Sequence, residues 1–137
     1  MKKTAYFMLL SLSFQAQAFD LVERPAVIVD TQKAELCFPD IQTCHPALVG
    51  PTTPKGRYNL ELVRTPHRGY GGDVIKFKEE PQFIFAIHRV WTLKPSEKRM
   101  ERIASGNPSD RNMTNGCINV TDEVYEQVKL YSTVEIR

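Results

Sequence analysis

Apolar and polar residues alternate in short runs along most of the chain, with turn-forming clusters between them. That period of two marks β-strands with one buried face. Residues 25–29 and 33–38 read as a hairpin about Asp30-Thr31-Gln32, and residues 45–50 are a third candidate strand. A Pro- and Gly-rich loop follows at 50–56, and residues 58–63 alternate again as one strand. Arg68-Gly69-Tyr70-Gly71-Gly72-Asp73 must be irregular, because three glycines in four positions disfavour an element interior. Residues 74–78 and 83–88 are two more strands, and 133–136 is a last one. Two stretches carry a helical period instead. Ser96 is placed to cap a helix to about Ala104, with Met100, Ile103 and Ala104 on its apolar face and Gly106 as its stop. Thr121 caps a second, with Asp122 and Glu123 in a first turn that suits negative charge, and Val124, Val128 and Tyr131 as its core stripe. The pattern is that of a mainly β domain with one or two short helices.

The N-terminus departs from this alternation. Lys2 and Lys3 precede an uncharged, mostly apolar run at 6–14, and Ala16-Gln17-Ala18 is a small-x-small cleavage site. Residues 1–18 therefore read as a signal peptide and 19–137 as one mature domain, exported to the periplasm. The apolar run falls short of the roughly 20 residues a permanent anchor needs, so no stable membrane anchor is expected. Removing Lys2 and Lys3 takes the 18 Lys+Arg to 16, which balances the 16 Asp+Glu. A neutral mature domain argues against a nucleic-acid partner. It is small enough for a single core, and we expect a monomer.

Export gives the cysteines meaning. Exposed thiols tend to pair in an oxidising compartment, and three cysteines leave one over. Cys37 and Cys44 flank the turn chemistry of Pro39-Asp40 and are placed to staple a hairpin. Cys117 would then be free, although other pairings are open. Cys37, Cys44 and His45 lack a familiar zinc spacing, so no metal is expected.

Cys117 follows Gly116 at the end of a polar loop, 110–116, and precedes a strand-like Ile118-Asn119-Val120. A glycine there allows close backbone approach and frees N–H groups for a developing oxyanion. A thiol works as its thiolate, so it needs a base, and an activated one would react well below about pH 8.5. His88 closes the apolar strand Phe83-Ile84-Phe85-Ala86-Ile87, a rigid place for a base, whereas His67 reads as surface loop and His45 adjoins the expected disulfide. A Cys117–His88 pair and an inert buried thiol both fit these residues. Around them, Thr114 could steady the loop or touch substrate. Arg111 could grip a carboxylate, against the plainer reading of a surface arginine. Tyr70 could cover the substrate, and Trp91 could be core or pocket wall. Lys98, Arg99, Glu101 and Arg102 read as a solvated helix face.

Three ordered motifs add a resemblance. Gly50, Thr53, Pro54, Gly56 and Tyr58 match a Gly…Thr-Pro-x-Gly-x-(Phe/Tyr) signature. Ile87-His88 matches a histidine closing an apolar strand, and Thr114-Asn115-Gly116-Cys117-Ile118-Asn119 matches (Ser/Thr)-His-Gly-Cys-hydrophobic-(Asn/Arg). Over about 25–137 the chain resembles the L,D-transpeptidase (YkuD-like) catalytic domain. It departs from the pattern at Asn115, where that family usually has histidine, and in the 117 − 88 = 29 positions between His88 and Cys117. The 94–104 segment accounts for the excess and is a candidate lid or substrate wall. The resemblance implies a mixed β-sandwich, with Cys117 as nucleophile, His88 as base and backbone N–H groups near Gly116 and Cys117 as oxyanion donors. Thr114, Asn115, Asn119, Arg111 and Tyr70 are the candidate substrate contacts. It implies peptidoglycan peptide stems as partner: Cys117 would attack the diaminopimelate carbonyl, D-alanine would leave, and an amine or water would resolve the thioester without any cofactor. An L,D-carboxypeptidase or endopeptidase on the same scaffold, and a non-catalytic wall-binding module, are the rival readings.

Overall fold

The period-two pattern resolves into two sheets around a shared core. The structure, a computed structural model, describes residues 24–137, so the expected signal peptide lies outside the described residues. The strands are β1 (Val27–Asp30), β2 (Glu35–Phe38), β3 (Thr43–Pro46), β4 (Gly56–Asn59), β5 (Glu61–Arg64), β6 (Asp73–Glu80), β7 (Phe83–Arg89), β8 (Ile118–Val120) and β9 (Thr133–Ile136). The helices are α1 (Arg99–Ile103) and α2 (Asp122–Val128). One sheet has the order β3-β2-β1-β9-β4 and the other β5-β6-β7-β8. Each is antiparallel except for one parallel pair, β1 with β9 and β7 with β8, so both sheets are mixed. Among the described residues no helix is long and apolar enough to cross a membrane.

Alternation sets the faces. In β1 and β2, Val27, Val29, Leu36 and Phe38 are buried while Ile28 and Cys37 are less so. They meet Ile75, Phe77, Phe85, Ile87, Ile118 and Val120 of the second sheet in one core. On the other face of the first sheet Cys37 lies opposite Cys44 in the β2–β3 register, and the two form a disulfide. Val124, Val128 and Tyr131 join the core as their spacing requires, together with Tyr125.

Four local readings change. Residues 58–63 are two strands: β4 pairs with β9 and β5 with β6, and the chain switches sheets at Leu60, whose N–H donates to Ser132 O at 2.8 Å. No change in the apolar spacing marks this corner, which brings Tyr58 and Leu60 onto the core and leaves Leu62 exposed. Residues 45–50 contribute only the end of β3 and then isolated bridges at Leu48 and Val49. A β-bulge between Lys76 and Lys78 lets β6 and β7 keep pairing past the register shift. The segment 96–104 is a 3₁₀ turn, Pro95–Glu97, then α1, separated by Lys98 in a left-handed conformation (φ 50°). Of its expected apolar face only Ile103 is buried, against Leu48 and Val90; Met100 and Ala104 are exposed.

Candidate active site

The parallel pairing of β7 with β8 assembles the site. Its register sets Ile87 beside Ile118 and His88 beside Asn119, so Cys117, one residue before β8, falls next to Ala86. Cys117 is the free cysteine of the described residues. Two clefts meet at it. The larger, about 610 Å³, runs along β5–β7 past Val63, Val74, Phe83 and Ile84; the smaller, about 170 Å³, is bounded by Trp91, Arg99, Thr114 and Asn115. Tyr70, Phe83, His88 and Cys117 line both.

His88 is 3% exposed, and its two ring nitrogens have different neighbours. Nδ1 lies 2.6 Å from Arg89 O, and a carbonyl only accepts, so Nδ1 carries the proton. Nε2 lies 3.4 Å from Asn119 Nδ2. The Asn119 amide has one orientation, because its Oδ1 accepts from Trp91 N at 3.3 Å and Arg99 Nη1 at 2.9 Å. Its Nδ2 therefore faces Nε2 as a donor, and Nε2 holds a lone pair. Burial, offset by the hydrogen bond to Arg89 and aided by the nearby Arg99 charge, brings the His88 pKa down to about 4. At neutral pH the ring is an uncharged base.

Cys117 Sγ contacts Ile84 O at 3.6 Å. Burial pushes its thiol up, while the Ala86 N–H and the Arg99 charge pull the other way. The resting pair is thus a neutral thiol beside a neutral imidazole, not an ion pair.

The loop around Cys117 is held from below. Met113 N and Thr114 N both donate to Val49 O, at 2.7 and 2.9 Å. Gly50 N donates to Thr53 Oγ1 at 2.9 Å, and a Cβ on Gly50 would collide with Thr114 O. The Thr-Pro loop of the first half is therefore a buttress for the cysteine loop. Thr114, 5% exposed, steadies that loop: Oγ1 donates to Cys117 O at 2.6 Å and accepts from Gly116 N at 3.1 Å. That bond engages the Gly116 N–H within its own loop, so an oxyanion would have to displace Thr114 Oγ1 to use it. Gly116 matters for conformation, with φ 120° and a Cβ position 2.6 Å from Phe85 Cε1.

Arg111 is neither a surface arginine nor a substrate contact. It is 4% exposed, and Nε and Nη2 donate to Ala34 O at 3.1 Å and Lys33 O at 2.8 Å, with Nη1 on Ser105 O at 2.5 Å. It clamps the β1–β2 turn to the 105–111 loop and lines neither cleft. Asn115 is exposed at the smaller cleft, and Asn119, fully buried, acts on His88. Tyr70 packs edge-on against His88 and against Trp91, each at 4.7 Å between ring centroids. Arg89 fixes it by donating to Tyr70 O at 3.0 Å and Asp73 Oδ1 at 2.9 Å. Burial and the neighbouring Cys117 raise the Tyr70 pKa, so its hydroxyl remains a donor. Trp91 is a cleft wall, and Gly69 packs so close to its ring that a Cβ would collide. Arg99 had read as solvated; instead it enters the site. The left-handed residue at Lys98 that turns it inward has no signal in a Lys-Arg pair.

These features define a mainly β, two-sheet domain with a half-buried cysteine and a neutral histidine at the junction of two clefts. No family model matches the chain, and no curated protein matches it by sequence. Among solved structures it is similar to L,D-transpeptidase 1 of Mycobacterium tuberculosis, with 12% sequence identity, 83% of this chain covered and a TM-score of 0.47. The chain spans 59% of the length of that structure.

Proposed function

We propose that the chain is a cysteine acyltransferase acting on peptide stems of bacterial peptidoglycan, of the L,D-transpeptidase kind, in the periplasm. The observation that carries this reading is the free Cys117 sharing two clefts with a histidine whose tautomer leaves Nε2 unprotonated. The three sequence motifs supply the substrate class. The larger, mostly apolar cleft suits the stem that becomes the acyl group, and the smaller one the group that leaves.

In the first step Cys117 Sγ leaves Ile84 O, displaces the Asn119 amide from His88 Nε2 and gives Nε2 the thiol proton. Sulfur bonds to the stem carbonyl carbon, and the Cys117 N–H, with the Tyr70 hydroxyl nearby, faces the oxyanion. The C–N bond breaks, and the proton on Nε2 passes to the departing amine. In the second step an amine or water gives its proton to Nε2 and attacks the thioester carbon; the C–S bond breaks and the leaving Cys117 thiolate takes the proton back from Nε2. The imidazolium exists only within each step, which fits a site whose burial disfavours charge. No cofactor enters this scheme.

The test is incubation with disaccharide-tetrapeptide and mass spectrometry of the products, with Cys117→Ala in parallel. Loss of D-alanine that vanishes in the variant is the expected result, and the ratio of cross-linked dimer to tripeptide separates transfer from hydrolysis. Unchanged tetrapeptide with folded protein and intact thiol would overturn the proposal and favour a wall-binding role.

A further inference from the structure

The smaller cleft has one wall that the reaction above does not use. It comes from the segment whose length sets His88 and Cys117 so far apart in sequence. Lys98, left-handed at φ 50°, turns the chain so that Arg99 enters the cleft, with its side chain 16% exposed. Arg99 Nε donates to Glu97 Oε2 at 2.6 Å and Nη1 to Asn119 Oδ1 at 2.9 Å. Nη2 has no acceptor among the described residues. Its positive charge reaches Tyr70, His88 and Cys117 alike. Among the described residues that line this cleft, Arg99 is the one with a formal charge at neutral pH, and its counter-ion Glu97 is not one of them.

We propose that Arg99 binds the free α-carboxylate of the residue that leaves, so that the enzyme removes a single C-terminal residue and does not cut within a longer stem. The inference rests on Cys117 as the nucleophile. In an amide under attack, the leaving nitrogen and its α-carboxylate lie within one residue's length of the carbonyl carbon, about 3.8 Å from one Cα to the next. A terminal carboxylate must therefore fall in the cleft beside Cys117, where a guanidinium fixed on one side by Glu97 and Asn119 presents its remaining N–H groups. Such a planar donor, already oriented and poorly hydrated, matches a carboxylate in geometry and charge. A cleft of about 170 Å³ with Trp91 in its wall has room for one small residue. The carboxylate is bound and not consumed: the C–S bond forms, the C–N bond breaks, and the proton goes to the departing amine.

Trp91 is the one tryptophan in the sequence and stands in this cleft, so its fluorescence reports occupancy. The Cys117→Ala protein is titrated with the tetrapeptide as its C-terminal acid and as its C-terminal amide. The acid should bind at least about tenfold more tightly, the value of a charge-assisted hydrogen bond. Arg99→Gln should abolish that preference and Arg99→Lys retain part of it. Equal affinity for acid and amide, no binding of either, or a preference that survives Arg99→Gln would overturn the proposal. The acid–amide comparison needs no Arg99 variant, so a misfolded substitution does not remove the test. Binding does not require turnover: a preference for the acid without cleavage by the wild-type protein would keep Arg99 as a carboxylate-binding group but sink the nucleophile reading and single-residue removal with it, and cleavage of both forms at equal rates would sink only the role of Arg99.

Discussion

Acidification should weaken this protein through His88 before it weakens it through most carboxylates. The folded ring has a pKa of about 4 against 6.5 for an unfolded histidine. Because the folded value is the lower one, the unfolded chain takes up the proton first, and stability falls as pH drops from 6.5 towards 4. Above pH 6.5 both states are neutral and the residue adds no pH dependence. The gap is about 2.5 pH units, and at about 1.4 kcal/mol per unit it amounts to roughly 3 kcal/mol. With His88 only 3% exposed, solvent screening takes little from that value. The assay is urea unfolding at several pH values between 4 and 7.5, for wild type and for His88→Gln, which cannot titrate. Carboxylates common to both proteins cancel in the difference. That difference should change by roughly 3 kcal/mol across the range, with the wild type losing relative ground on the acid side. A difference curve flat to within about 1 kcal/mol would refute the claim that burial holds His88 neutral.

The same charge state governs activity, and kcat/KM should keep its acid limb near pH 4, since His88 is a competent base above its pKa of about 4. Asn119→Asp puts a carboxylate against the ring, favours the imidazolium, and should move that limb up by about one to three pH units in a pH–rate profile. Arg111→Met removes three hydrogen bonds to main-chain carbonyls and should cost about 3 kcal/mol in chemical denaturation, while kcat at a permissive temperature stays near wild type because Arg111 lines neither cleft. Gly116→Ala combines a positive φ with contact on Phe85 and should lower stability by about 2–4 kcal/mol and reduce the rate of substrate-dependent thioester formation, seen by mass spectrometry. Reducing the Cys37–Cys44 bridge, with a sequence separation of 7, should lower stability by about 2 kcal/mol on chain-entropy grounds.

Much of the candidate site was legible along the chain, for physical reasons that differ by residue. Cys117 stands out because an odd cysteine needs a reason, and His88 because a polar residue closes an apolar strand. Asn119 interrupts Ile118 and Val120 and is buried among them. Arg111 was misread because an arginine in a polar loop gives no sign that main-chain carbonyls surround it. Arg99 was misread because helical periodicity was assumed to run through Lys98.

Local chemistry alone determined most of the alternating strands and the α2 stripe, since each depends on spacing within one short segment. Only the tertiary structure decided that β7 and β8 run parallel in the register that sets His88 beside Asn119. It also decided that the chain changes sheets at Leu60, that Arg99 enters the cleft, and that Cys117 and His88 are both uncharged at rest. Those depend on burial and on contacts between segments far apart in sequence, and neither desolvation nor a strand's register with a distant partner is written in the residues of one segment.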